Sequence, residues 1–149
     1  MKITLSIDSN KIVEIGHCDL ANIVSWMNDD TQYASFFAEL SDHPSSEVRC
    51  AVAGKSALPY RALKQLARDP SIEVVRNVAN IEQALERFKA SLFQEMLNRD
   101  VSVAVEIAEN LLSINESARA HVNLCLLEHP DPRVAEIAEG FEREQGLVC

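Results

Sequence analysis

The sequence feature that most constrains the fold is a ten-residue phrase, which the chain contains twice. Residues 44–53 read Pro-Ser-Ser-Glu-Val-Arg-Cys-Ala-Val-Ala, and residues 70–79 read Pro-Ser-Ile-Glu-Val-Val-Arg-Asn-Val-Ala. Looser copies at 103–108 and 132–138 keep a Val…Ile-Ala frame, the last with one residue fewer. The closing alanines are separated by 26, 29 and 30 residues: Ala53, Ala79, Ala108 and Ala138. Such a period is typical of one supersecondary unit stacked on copies of itself.

The composition favours helices for these units. The chain has 149 residues, of which 47% are hydrophobic and 25% charged, with four Gly and five Pro. A chain of this length is expected to form one domain with one continuous core. The low content of Gly and Pro favours α-helical secondary structure. The spacing of Ser113 and Glu116 predicts a capping box at the start of one helix. We therefore predict an all-α fold, a short α-solenoid of about four helical repeats.

The N-terminal residues follow a different pattern. Apolar and polar side chains alternate over residues 3–7, and residues 8–10 (Asp-Ser-Asn) have the composition of a turn. These signals predict a small β-hairpin or an extended cap. We expect a single domain over 1–149, with the hairpin or cap in 1–18, capping helices in 19–41, the first of them with Asp19 as its N-cap, and helical repeats in 42–149.

Charge is distributed unevenly along the chain. The formal net charge is −9, with −5 in residues 1–45, +3 in residues 46–99 and −7 in residues 100–149. Nucleic-acid affinity depends on Lys and Arg that neutralise phosphates, so we expect no direct nucleic-acid binding. The acidic ends instead predict a protein partner with basic patches.

The cysteines and the hydropathy pattern predict a cytoplasmic protein. The four cysteines are scattered and form no Cys-x-x-Cys pair. No stretch approaches the roughly 20 apolar residues of a membrane helix, and no basic-then-apolar leader opens the sequence. We therefore expect a reducing compartment and no membrane contact.

The clean repeats also carry a family resemblance. Residues 66–70 read Leu-Ala-Arg-Asp-Pro, and residues 74–79 read Val-Val-Arg-Asn-Val-Ala. Over roughly residues 40–80 the chain resembles the leucine-rich repeat variant family, a relative of HEAT-like α-solenoids. The resemblance implies a right-handed superhelix of paired helices and a protein-binding role. One branch of that family holds an iron–sulfur cluster on N-terminal cysteines, but only Cys18 lies in that region here, so we expect no cofactor.

The resemblance leaves an enzyme subunit open as an alternative. HEAT-like solenoids include lyase subunits and DNA-repair glycosylases, which need a cofactor-facing carboxylate pocket or a nucleic-acid channel. The acidic charge disfavours the channel. No pair of carboxylates stands in a recognisable acid–base motif, so we expect no catalysis.

Basic residues in the second helix of the first clean repeat form the candidate binding surface. Four polar residues are spaced i, i+3, i+4 and i+7, which places them on one helix face: Arg61, Lys64, Gln65 and Arg68. Arg49 and Arg76 are expected nearby, from the units on either side. We predict a non-catalytic protein–protein interaction module, an adaptor or inhibitor-type scaffold, that binds its partner through Arg49, Arg61, Lys64, Arg68 and Arg76.

Three further motifs have alternative interpretations. Gly54-Lys-Ser56 resembles the end of a phosphate-binding loop, but the first glycine of that motif is missing, so we predict a helix end. His121 and Cys125 share a helix face and would be the ligands of a metal- or redox-responsive regulatory protein. His17 and Cys18 are predicted to lie in extended chain, where neighbouring side chains point apart and form no catalytic pair.

Overall fold

The computed structural model describes residues 3–146. Within these residues the fold is mostly helical, with ten α-helices, two short 3₁₀ helices and one two-stranded antiparallel sheet. The strands are β1 (Ile3–Ile7) and β2 (Asn10–Ile15), and the 3₁₀ helices are Thr31–Tyr33 and Leu111–Ser113. The α-helices are α1 (His17–Trp26), α2 (Ala34–Leu40), α3 (Ser46–Ala53), α4 (Tyr60–Leu66), α5 (Ile72–Ala79), α6 (Glu82–Leu85), α7 (Ala90–Leu97), α8 (Val101–Glu109), α9 (Glu116–Leu127) and α10 (Pro132–Glu144). The outer ends of the predicted regions 1–18 and 42–149, at residues 1–2 and 147–149, lie outside the described residues.

Strands β1 and β2 form the hairpin that the N-terminal alternation predicts. Asp8 and Ser9 make the turn, and both have positive φ angles, 48° and 69°. Two such residues give a turn whose twist matches that of the flanking strands. Ile3 pairs with Ile15, and both are half-buried against the helical core, whereas Ile12 is exposed. The open end of the hairpin therefore packs on the core, while part of β2 faces solvent.

Each copy of the repeated phrase forms a helix, and these helices lie next to one another. In α5, Val74 and Val78 are fully buried one turn apart, as the spacing of the phrase predicts. The closing alanine of every copy is also buried: Ala53, Ala79, Ala108 and Ala138. Helix α1 packs against α3, α3 against α5, α5 against α8, and α8 against α10. Helix α1 and the four helices formed by the phrase thus lie in one consecutive row.

The remaining helices connect the members of this row and complete the core. Helix α4 contacts α3 and α5, α7 contacts α8 and α9, and α9 contacts α8 and α10. Leu63 and Leu66 of α4 are fully buried, as are Phe93 and Met96 of α7. Phe88, just before α7, meets Phe93 edge-on with ring centroids 6.0 Å apart. One continuous apolar core therefore runs between the two sets of helices.

The N-cap of helix α1 lies three residues before the predicted one, Asp19. Gly16 is the N-cap in an extended conformation, and Asp19 lies in the first turn. A carboxylate in the first turn interacts favourably with the helix dipole without being the cap. His17 and Cys18 are therefore helical, and the prediction that they lie in extended chain is wrong.

Helix α9 begins at a different cap from the predicted one. The side chain of Asn115 accepts a hydrogen bond from the Ala118 N–H at 3.1 Å, and Ser113 lies in the preceding 3₁₀ helix. Asn is as good an N-cap as Ser. The predicted capping box from Ser113 to Glu116 is therefore wrong, although the helix itself is present.

Asp131, the N-cap of α10, gives a prediction about pH. Its carboxylate accepts hydrogen bonds from the Arg133 N–H at 3.0 Å and from the Arg133 Nη2 at 2.8 Å. These bonds from Arg133 lower the pKa of Asp131 to about 2. Because the ordinary pKa is about 3.9, the stabilisation by this cap is complete above that pH and is lost as the pH falls through about 2.

NMR titration of the Asp131 carboxyl carbon should therefore give a midpoint near 2. Replacing Arg133 by alanine removes the guanidinium and should move this midpoint up, toward the ordinary value. A midpoint that stays unchanged in that variant would show that Arg133 is not the cause.

Candidate binding groove

Four of the five predicted partner-binding residues line one groove. The groove has a volume of about 690 Å³ and lies between α4, the turn at 41–44 and the turn at 68–70. Pro44 lies in the first turn and Pro70 in the second, and a proline at these positions cannot continue the preceding helix. The charged side chains that line the groove are Asp42, Arg49, Arg61, Lys64, Arg68 and Asp69.

An ion pair between Arg49 and Asp69 joins the two sides of the groove. Nε and Nη2 of Arg49 donate to the two carboxylate oxygens at 2.6 and 3.0 Å, and Nη1 donates to the carbonyls of His43 and Pro44 at 2.7 and 3.0 Å. The same carboxylate accepts the Ser71 N–H at 2.8 Å. The hydrogen bond to Asp69 raises the pKa of the Arg49 guanidinium. Arg49 thus holds two turns together and has few donors left for a ligand.

His43 lies in the groove lining as a neutral side chain. It is buried, and its Nδ1 accepts a hydrogen bond from the Ser45 N–H at 3.1 Å. Burial lowers the pKa of His43 below its ordinary value. Because Nδ1 is an acceptor, the proton of the neutral ring sits on Nε2.

Arg61 and Lys64 supply the accessible positive charge of the groove. Both side chains are exposed, and neither forms an ion pair with any residue in the part of the chain that the structure describes. Arg68 is also exposed but binds Glu95 with two contacts of 2.6 Å. The carboxylate of Asp42 accepts a hydrogen bond from Gln65 of the same polar stripe. Three members of the predicted stripe, Arg61, Lys64 and Gln65, lie on α4, whereas Arg68 lies two residues beyond the last residue of that helix.

Arg76 lies away from the groove. Its Nη2 contacts Glu106 of α8 at 2.9 Å and its Nη1 lies 3.7 Å from Glu73. When the two clean phrases are superposed, Arg76 aligns with Cys50 and not with Arg49. One residue turns a side chain by about 100° around a helix. Of the two arginines expected near the polar stripe, Arg49 therefore lines the groove and Arg76 does not.

Lys55 belongs to the motif that resembles a phosphate-binding loop, but its side chain forms hydrogen bonds within the protein. Its side chain is buried, and Nζ donates to the carbonyls of Ser25 and Met27 at 3.3 and 2.7 Å. Nζ also lies 5.7 Å from the ring centroid of Phe37. A cation at the C-terminus of α1 interacts favourably with the helix dipole. Lys55 therefore ties α3 to the end of α1.

The other two residues of this motif, Gly54 and Ser56, end helix α3 and connect the segment after it to Asp29. Helix α3 ends at Ala53 with Gly54 as its C-cap, which confirms the predicted helix end. The Ser56 N–H and hydroxyl donate to Asp29 at 2.7 and 2.6 Å, and the Ala57 N–H donates at 2.9 Å. Partial burial would raise the pKa of Asp29, but these hydrogen bonds outweigh it and the pKa lies below its ordinary value.

The predicted metal candidates His121 and Cys125 do lie side by side. Nε2 of His121 is 3.7 Å from the Sγ of Cys125 on α9. Among residues 3–146, no third Cys, His, Asp or Glu joins them in a metal-binding cluster. His129 lies beyond the end of α9, as its position before Pro130 predicts, and its Nδ1 accepts the Asp131 N–H.

A second cluster, which the sequence analysis missed, joins α1 to α3. The Sγ of Cys18 donates to Oε2 of Glu47 at 3.3 Å, and Nε2 of His17 lies 3.6 Å from the same oxygen. The hydrogen bond to Glu47 raises the pKa of the Cys18 thiol. Glu47 is 29 positions away from Cys18, so only the packing of α1 on α3 brings the three side chains together.

Across residues 3–146, no helix combines the length and the apolar character needed to cross a membrane. In comparisons with protein-family models, curated proteins and solved structures, the chain matches none. The groove and the side-chain clusters described above are therefore the basis for assigning a function.

Proposed function

We propose that the protein is a non-catalytic protein–protein interaction module whose groove binds an acidic segment of a protein partner. The observation that carries this proposal is the exposure of Arg61 and Lys64 beside the groove, without an ion pair to any of residues 3–146. Arg49 is tied to Asp69 behind them, so the groove is held in shape before a partner arrives. Complementary charges steer encounter and fix the register of a bound partner.

The groove lining supports binding more than catalysis. The Ser41 hydroxyl donates to the Ala38 carbonyl at 2.6 Å, and Nδ1 of His43 accepts from the backbone. A nucleophilic serine needs a base within hydrogen-bond reach that can take its proton. Neither side chain is free for that role in this arrangement.

The proposal includes the architecture. We propose a short right-handed α-solenoid of about four repeats, similar to leucine-rich repeat variant and HEAT-like proteins. Support comes from the consecutive packing of α1, α3, α5, α8 and α10 and from the period of the phrase. Solenoids present extended surfaces built from equivalent parts of successive repeats. The turns at 41–44 and 68–70 are such equivalent parts, so the partner would contact two repeats at once.

The acidic ends of the chain would contact basic patches of the same partner outside the groove. Residues 1–45 and 100–149 carry −5 and −7 formal charges, on either side of the basic middle. A partner with both an acidic segment and basic patches would be oriented by this layout.

Replacing Arg61 and Lys64 together by glutamate is expected to weaken binding of a Glu-rich peptide at least about tenfold, because two accessible cations become anions. Fluorescence anisotropy of a fluorescein-labelled peptide measures the dissociation constant. Binding to the wild-type chain should also weaken with added salt, which screens exposed charges. A Gln-rich peptide of the same length should not bind.

The matched control is the double variant Lys89→Glu/Arg143→Glu. It changes the net charge by the same amount, and neither residue lines the groove. This control should bind the Glu-rich peptide as the wild type does. Equal weakening in both variants, or no binding by the wild type, would contradict the proposed groove.

A further inference from the structure

The cluster of His17, Cys18 and Glu47 brings together three different metal-binding side chains. His17 and Cys18 lie in the first turn of α1, and Glu47 lies in the first turn of α3. One ligand atom from each residue, the imidazole nitrogen, the thiol sulfur and a carboxylate oxygen, lies within 4.8 Å of the other two. All three side chains are exposed, so an ion could enter without any rearrangement of the core.

Two of the three ligand-atom separations fit the edges of a zinc coordination tetrahedron, and the third, between His17 and Cys18, is within 4.8 Å. Bonds of roughly 2.0–2.3 Å in a tetrahedral arrangement place neighbouring ligand atoms about 3.3–3.8 Å apart. Oε2 of Glu47 lies 3.3 Å from the Cys18 Sγ and 3.6 Å from the His17 Nε2. Both measured edges fall in that range, and the two helices that supply them pack directly against each other.

We propose that His17, Cys18 and Glu47 form a Zn²⁺ site that links the start of α1 to the start of α3. Thiolate, imidazole and carboxylate together favour Zn²⁺ over Mg²⁺ and Ca²⁺, which prefer oxygen ligands alone. Three protein ligands leave the fourth position to water, and the Cys18 proton passes to solvent as the Zn–S bond forms. This site is separate from the binding groove and does not depend on the proposed function.

A cobalt titration of the full-length chain tests the site directly. Co²⁺ takes the place of Zn²⁺ in tetrahedral sites, and its bond to a thiolate gives a near-ultraviolet charge-transfer band. The wild-type chain should show this band at one equivalent of Co²⁺, and added Zn²⁺ should displace it. Cys18→Ser should abolish the band and weaken Zn²⁺ binding about 100-fold. Loss of a residue that only supports a ligand weakens metal binding by about 10- to 100-fold, and Cys18 would be a ligand itself.

The matched control is Cys125→Ser, which removes the thiol of the His121–Cys125 pair. This variant should keep the full band and the wild-type Zn²⁺ affinity, measured by competition with a chromophoric chelator. Glu47→Ala removes the carboxylate ligand and should weaken Zn²⁺ binding. Because Glu47 is exposed, the helix content measured by circular dichroism should stay unchanged. No charge-transfer band in the wild type, a band that persists in Cys18→Ser, or loss of the band in Cys125→Ser would each overturn the site.

Discussion

Replacing Asp69 by alanine is expected to lower the free energy of unfolding by about 3–5 kcal/mol, which urea denaturation measures. The Arg49 side chain is only 13% exposed and that of Asp69 only 6%. Alanine at 69 leaves the Arg49 guanidinium buried without its counter-charge, and the Ser71 N–H loses its acceptor. A buried charge that loses its partner is far more costly than an exposed one.

The ion pair between Arg68 and Glu95 provides the matched control. It has the same bidentate geometry, with both contacts at 2.6 Å, but its side chains are 42% and 49% exposed. Glu95→Ala should therefore cost much less than Asp69→Ala, because water solvates the Arg68 left behind. Equal losses in the two variants would show that burial does not set the strength of the pair.

Replacing Lys55 by methionine is expected to lower the free energy of unfolding by about 3 kcal/mol. Methionine keeps much of the volume but cannot donate to the carbonyls of Ser25 and Met27. These carbonyls lie at the C-terminal end of α1, where helices have unsatisfied acceptors. The variant also loses the contact between the ammonium group and the Phe37 ring.

Urea denaturation of Lys55→Met and of Lys64→Met, side by side, checks this prediction. Lys64 is exposed on α4 and has no ion pair within residues 3–146, so its replacement should leave stability unchanged within error. If Lys55→Met were as stable as Lys64→Met, the tie between α3 and α1 would contribute nothing to the folded state.

The repeated phrase predicts four of the ten described α-helices, α3, α5, α8 and α10, because its apolar residues are spaced for one buried helix face. Val74 and Val78 show this in α5, where both are fully buried. Exact helix starts are less predictable, since several nearby residues can cap. Gly16 takes the cap position ahead of Asp19, and Asn115 takes it ahead of Ser113. Local sequence therefore determines the presence of these helices more firmly than their first residue.

The candidate site is predictable only where it depends on one helix. The spacing of Arg61 and Lys64 places them on one face of α4, and both line the groove together with Arg68, which lies two residues beyond the end of that helix. The pairing of Arg49 with Asp69 joins residues 20 positions apart and follows from the packing of the turns. The position of Arg76 depends on a one-residue offset between repeats, which the shared apolar frame does not show but a residue-by-residue alignment of the two clean phrases does.

The consecutive row of helices has a consequence for how the chain folds. Among the described residues, the side-chain hydrogen bonds link positions no more than 31 apart in the sequence, as between Arg99 and Arg68. Contacts at short sequence separation cost little loop-closure entropy and are associated with fast folding. In the proposed solenoid, folding would start at any adjacent pair of units and spread in either direction, so one end of the protein would lose its structure while the other end kept it.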